Sequence, residues 1–167
     1  MSLIEWIELP NLGDDRGSLM VLESNKNVPF KVERIYYILD TKPDVPRGFH
    51  AHKELMQLAF CIKGSCSMIM DNGIEKQQVR IDKSNIGLMI PPMVWHEMHD
   101  FSEDCVMLVL ANSQYDEDDY LRDYDEFMNE VNKPFIHPLS DVMSTTIGQK
   151  TKIWQYSVVL PEAVIGE

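Results

Sequence analysis

Up to about residue 111 the apolar residues fall in short runs, several alternating with polar ones, separated by clusters of Gly, Pro, Asn and Asp. A period of two predicts half-buried strands, here over 6–9, 19–23, 32–40, 57–62, 66–70, 76–81, 86–90, 95–101 and 105–111. Asp71-Asn72-Gly73, between Cys66–Met70 and the alternating segment that ends in Val79-Arg80-Ile81, predicts a hairpin, because Asn and Gly tolerate the positive φ of a tight turn. No strand–helix–strand alternation is visible, so the pattern predicts a mainly β barrel or sandwich and not a doubly wound parallel sheet.

The period then changes. Tyr120, Leu121, Tyr124, Phe127, Met128 and Val131 recur at helical spacing, with Asp118 placed to cap the first turn, and this stripe is read as core packing. Beyond Lys133-Pro134 an aliphatic residue returns about every six positions, through Ile136, Val142, Ile147, Ile153, Val159 and Ile165. The chain is therefore divided into a domain over 1–133 and a tail over 134–167. The tail resembles the first coils of the left-handed β-helix of hexapeptide-repeat acyltransferases. Such solenoids need about three or more repeats to bury a continuous core, so a functional second domain is not expected of this segment alone. A front part or remnant of a longer two-domain arrangement and an ordinary C-terminal extension are both open readings.

Composition narrows the function classes. With 167 residues and 44% hydrophobic content the chain has enough apolar material for a core. The N-terminal stretch Met1–Glu8 has no basic flank followed by a long apolar run, and nothing elsewhere approaches membrane-spanning length, so a cytoplasmic protein is expected. Cys61, Cys66 and Cys105 lie in apolar segments without Cys-x-x-Cys spacing and are read as buried free thiols. A net charge of -12 argues against nucleic acid or an anionic membrane as partner. A single nucleotide diphosphate is compatible with it, because a few local arginines suffice and charges beyond about 10 Å are screened.

The candidate chemistry sits in Arg47-Gly48-Phe49-His50-Ala51-His52, followed by Gln57, Gly64, Pro91-Pro92 and Trp95-His96. Histidines at i and i+2 of a strand share a face, and in a small barrel one face is the lumen, so His50 and His52 are expected in one cavity. Gln57 has the opposite parity and joins them only if a turn or bulge intervenes. The spacings resemble the two cupin motifs, except that Gln57 stands where metal-binding cupins carry a glutamate. A neutral amide is a weaker ligand, so no metal is expected, although three histidines could still hold one. Without metal, paired imidazoles suit acid–base work near neutral pH, as in moving a carbonyl to the adjacent carbon through an enediol. Tyr36 and Tyr37 face opposite ways, so one of them is available to the lumen. His99 and His137 are read as structural.

Four strings carry a closer resemblance: Asp15-Arg16-Gly17-Ser18-Leu19, Pro46–Lys53, Val94–Phe101 and Tyr120-Leu121-Arg122-Asp123-Tyr124. Together they resemble the sugar nucleotide 3,4-ketoisomerases, cupins that act on dTDP-4-keto-6-deoxy-D-glucose on the way to 3-amino-3,6-dideoxyhexoses. The resemblance implies an RmlC-like jelly-roll barrel with one C-terminal helix and a short extension, working as a cofactor-free, metal-independent homodimer. It implies His50, His52 and Tyr37 as catalytic residues, and Arg16, Arg47, Gln57, Trp95, His96 and Arg122 as substrate-binding ones, with the arginines toward the phosphates. Some relatives are fused to an N-acetyltransferase whose start the tail resembles; acetyl transfer is not assigned to this chain. Two other readings stand beside this one: a 3,5-epimerase of the same dTDP-sugar, and a non-catalytic sugar- or metal-binding cupin.

Overall fold

Alternating residues of the first part pair into antiparallel sheets in a computed structural model that describes residues 2–166. The strands are β1 (Trp6–Glu8), β2 (Arg34–Ile38), β3 (Arg47–His52), β4 (Gln57–Lys63), β5 (Cys66–Asp71), β6 (Lys76–Ile81), β7 (Ile86–Ile90), β8 (Trp95–His99), β9 (Val106–Ala111) and β10 (Tyr120–Leu121). They form two five-stranded sheets, β1-β7-β4-β9-β2 and β10-β3-β8-β5-β6, in the mainly β arrangement of a cupin jelly roll. The hairpin between β5 and β6 turns at Asn72-Gly73, where Gly73 adopts φ 79°.

Alternation decides where the core sits. From β4, Ala59 and Cys61 point between the sheets to join Met68, Met70, Leu88, Ile90 and Met107. Leu58 and Phe60 point the other way, against Leu9, Val28, Phe30, Met89 and Leu110. Because both its faces are covered, β4 reads as a continuous apolar run instead of an alternating one. Each fully buried Leu, Phe or Met here stabilises the fold by about 1.5–3 kcal/mol relative to leaving it in water.

Two sequence expectations differ from the structure. Residues 19–23 form no strand: Leu19 and Val21 are exposed, and the backbone around them bonds to asparagine side chains, with Leu19 N–H donating to Asn11 Oδ1 and Asn27 Nδ2 to the Val21 carbonyl. Tyr120 and Leu121 belong to no helix either. Their pairing with His52 and Ala51 draws them into β10, and the preceding residues Glu117–Asp119 form a single 3-10 turn capped by Asp116 instead of Asp118. The helix α1 spans Tyr124–Asn132.

The chain divides into two compact units, one ending at Tyr124 and one beginning at Asp125, so the division falls ahead of most of the helix and not after it. In the second unit lie β11 (Phe135–Ile136), β12 (Asp141–Val142), β13 (Thr146–Ile147), β14 (Lys152–Ile153), β15 (Val158–Val159) and β16 (Val164–Ile165). Each of the first three pairs in parallel with the strand three elements later, as in stacked rungs of a solenoid. Ile153 and Val159 are buried, whereas Trp154, Val158 and Val164 are exposed. No helix among the described residues is long and apolar enough to cross a membrane.

Candidate active site

At one end of the space between the sheets the apolar filling stops and a cavity of about 440 Å³ opens. Strand β2 contributes Arg34, Tyr36 and Ile38 to one wall; β3 and β8 contribute Arg47, His50, His96 and Met98 to the other; Tyr115 and Tyr120 close the side. Cross-strand register explains the clustering. His50 stands opposite His96 and His52 opposite Tyr120, which brings the rings to 4.4 and 4.3 Å between centroids. The His50 and His52 rings meet edge to face at 4.9 Å. A bulge between Gly48 and His50 aims the first histidine at the cavity. Gly48 is required there, because its φ is +90° and a Cβ would lie 2.8 Å from the His96 carbonyl oxygen.

The two histidines of β3 are held differently. His50 Nδ1–H donates to the Gly48 carbonyl at 3.0 Å, which leaves Nε2 as its basic atom. His52 lies behind it, buried, with Nδ1–H donating to Asp119 Oδ2 at 2.8 Å. Asp119 is itself fixed, since its Oδ1 accepts from Glu54 N–H at 2.7 Å and its carbonyl from Lys53 N–H at 2.9 Å. Burial pushes the His50 pKa down, opposed by its bond to Gly48. For His52, burial and the neighbouring His50 outweigh Asp119 and take the pKa to about 4. Burial takes fully enclosed His96 to about 3. All three imidazoles are therefore neutral at pH 7 and able to accept a proton. Tyr36, raised to about 12 chiefly by burial, stays a phenol and a donor.

Several expected site residues are placed elsewhere. Tyr37 points out of the barrel and is 68% exposed; alternation along β2 gives the cavity to Tyr36. Gln57 enters the interior from the opposite sheet and lies beneath the cavity wall, where its Oε1 accepts the Tyr36 hydroxyl at 2.5 Å; it positions the phenol and does not line the cavity. Trp95 alternates with His96, so it faces the outer side of its sheet, edge-on to Tyr124 at 5.2 Å with Nε1–H donating to Glu97. Arg16, with its side chain 89% exposed, pairs with Asp14 on the 14–17 turn, away from the cavity. Arg122 lies outside the helix, stacked 4.1 Å from the centroid of the Tyr120 ring and paired with Glu117.

Arg34, Tyr115, Asp119 and Tyr120 were missed. Asp119 closes the acidic run Asp116-Glu117-Asp118-Asp119, whose composition by itself suggests only a solvated face, and its pairing with a histidine 67 positions away leaves no local signal. A metal ion does not fit this donor set. The Gln57 amide oxygen at the fourth cupin position is engaged by Tyr36, and no group of three or more His, Cys, Asp or Glu among the described residues is disposed to hold one.

Fold and site together define a jelly-roll cupin whose pocket carries neutral bases and a protonated phenol around space for a ring-sized ligand. The chain belongs to the family described as FdtA: WxcM-like, C-terminal, which it matches over residues 2–132. It is 53% identical over 127 residues, 76% of this chain and 91% of the relative, to the TDP-4-oxo-6-deoxy-alpha-D-glucose-3,4-oxoisomerase of Aneurinibacillus thermoaerophilus. A 3,4-ketoisomerase from Helicobacter canadensis superposes with a TM-score of 0.75 at 45% identity, covering 77% of this chain and 96% of that one. A mutant of the 3,4-ketoisomerase QdtA from Thermoanaerobacterium thermosaccharolyticum, solved with TDP-4-keto-6-deoxyglucose, gives 0.76 at 37% identity, covering 78% and 95%.

Proposed function

We infer that this chain is a sugar nucleotide 3,4-ketoisomerase, moving the keto group of dTDP-4-keto-6-deoxy-D-glucose from carbon 4 to carbon 3. The observation that carries the reading is neutral His50 and protonated Tyr36 lining one cavity, with neutral His52 directly behind His50, in a chain with 3,4-ketoisomerase relatives of high identity. His50, which lines the cavity, removes the proton on carbon 3 through Nε2, and the electron pair forms the carbon 3–carbon 4 double bond of an enediolate. Tyr36 donates toward the oxygen that gains charge. Return of a proton to carbon 4, with loss of the one on oxygen 3, completes the 3-ketone without net consumption of protons. His52, oriented by Asp119, is the second proton-transfer group and faces His50 directly.

The finer assignments rest on placement and chemistry. Arg47 lines the cavity and Arg122 stacks on Tyr120 at its side, so both are assigned to the diphosphate, which guanidinium groups bind in bidentate fashion. His96 is a wall of the sugar site. A homodimer is supported by the exposed apolar row of Ile35 and Tyr37 on edge strand β2 and Leu39 just beyond its end, a surface that needs a cover. In that assembly Arg16 serves a phosphate only if the partner brings it to a cavity. A cytoplasmic location and a role in making a 3-amino-3,6-dideoxyhexose complete the reading. Incubation with dTDP-4-keto-6-deoxyglucose in chelator-treated buffer, followed by NMR, is expected to show exchange at carbon 3 and a 3-keto product. An untouched substrate overturns the reading, and a 4-keto product inverted at carbons 3 and 5 replaces it with epimerisation.

A further inference from the structure

Arg34 opens β2 and lines the cavity on the same face as Tyr36, two positions on. Its guanidinium carbon lies 5.6 Å from the Tyr36 ring centroid and 5.8 Å from that of Tyr115, so aromatic faces flank it. Yet its Nε is buried without a hydrogen-bond partner among the described residues. Gln57 Nε2 shares that condition, and the register places Arg34 and Gln57 on either side of Ala111 in β9. Both atoms are donors only. Buried donors are nearly always paired, so two neglected N–H groups on the strands flanking β9 mark a wall short of acceptors. The acceptor that suits it is an oxygen carrying negative charge.

The other cavity cations differ in setting. Arg47 is exposed, and Arg122 is half-exposed and already paired with Glu117, which suits the solvated diphosphate. Arg34 is partly buried beside the phenol, and its positive charge reaches both Tyr36 and His52. We propose that Arg34 is the oxyanion-binding residue of the isomerisation, its guanidinium edge holding the adjacent oxygens of the enediolate from the wall opposite the histidines. This rests on the ketoisomerase reading and deepens it. When the carbon 3 proton leaves, the electron pair becomes the carbon–carbon double bond and charge moves onto oxygen 4. When carbon 4 is protonated, the oxygen 3 proton is lost and the carbonyl forms at carbon 3. Two neighbouring oxygens of one planar enediolate match the fork with which guanidinium binds a carboxylate, so one side chain serves both half-reactions without moving. A fixed charge where charge develops lowers the barrier without reorganisation.

The test compares Arg34→Met and Arg34→Lys with the unaltered chain, using dTDP-4-keto-6-deoxyglucose for turnover and dTDP for calorimetric affinity. Arg34→Met is expected to lower kcat about 10²–10³-fold while dTDP affinity stays within about three-fold. It should also shift the acid limb of the pH–rate profile slightly upward, because burial and His50 still hold the His52 pKa down but the smaller contribution of the Arg34 charge is gone, while His96, Tyr120 and Asp119 still face that imidazole. Arg34→Lys keeps the charge and loses the fork, so kcat falls by about ten-fold or more with the acid limb unmoved. If circular dichroism shows the Met variant unfolded, the Lys variant carries the test alone, and a wild-type kcat there overturns the proposal. So does a Met variant with kcat within about two-fold of wild type, or one that loses dTDP affinity while kcat at saturation is intact. Inactivity of the unaltered chain overturns both this role and the ketoisomerase reading; an active chain with a silent Arg34 variant overturns this role alone.

Discussion

The interior between the two sheets is filled in two ways. One part holds sulfur and aliphatic groups: Cys61 Sγ lies 3.6 Å from Cys66 and 3.9 Å from Cys105, while Cys66 meets Met107 Sδ at 3.5 Å, with Met68 and Met70 fully buried among them. The other holds Arg34, Tyr36, His50, His96 and Tyr120 around a cavity, with Ile38 and Met98 belonging to both. In the apolar part burial supplies stability; the hydrogen bond to Cys66, then burial, pushes the Cys61 thiol up, and burial does the same for Cys105, leaving both inert. In the polar part burial pushes imidazoles down and leaves donors without acceptors. The same desolvation that silences a thiol prepares a histidine to accept a proton.

That contrast is open to being broken. Replacing His50 or His52 by Asn is expected to lower isomerisation by about 10³-fold or more while the melting temperature and dTDP binding hold, because only proton transfer is removed. Met68→Ala should do the reverse, costing about 2–5 kcal/mol of stability in urea titration through the cavity it leaves, with kcat retained below the melting transition. Asp119→Asn removes the charge that orients His52, and a fall of about 10²-fold in kcat is expected; an undiminished rate would leave His52 without its orienting partner. Tyr36→Phe is expected to slow turnover about ten-fold, whereas Tyr37→Phe leaves kcat unchanged, so a reversed ranking would return the outer tyrosine to the site.

Acid offers the finest comparison. His52 and His96 titrate at about 4 and about 3 in the folded chain, against about 6.5 unfolded. Their folded values are depressed, so between those limits the unfolded chain binds protons that the folded chain refuses. Stability is therefore fully present above about pH 6.5 and falls as pH is lowered toward the folded values. Each histidine costs about 1 kcal/mol by pH 5.5, and Gln in place of His96 should flatten the decline of melting temperature with pH.

By itself the sequence determined a mainly β barrel or sandwich and most of the strand positions, 19–23 excepted, since period-two alternation and turn residues act locally, while the jelly roll came with the family resemblance. It also determined that His50 and His52 share a face, because strand parity is arithmetic. Its failures have a common cause. Parity separates Tyr36 from Tyr37 and His96 from Trp95, but which member of each pair faces the lumen depends on the partner strands that cover the other side. Asp119 and Arg34 reach the histidines only because β10 and β2 are brought beside or opposite β3 by pairings between segments far apart in the chain. Desolvation, which sets every titration in the pocket, exists only once those walls have closed. Tertiary structure alone decided which side chains meet, and so what the pocket does.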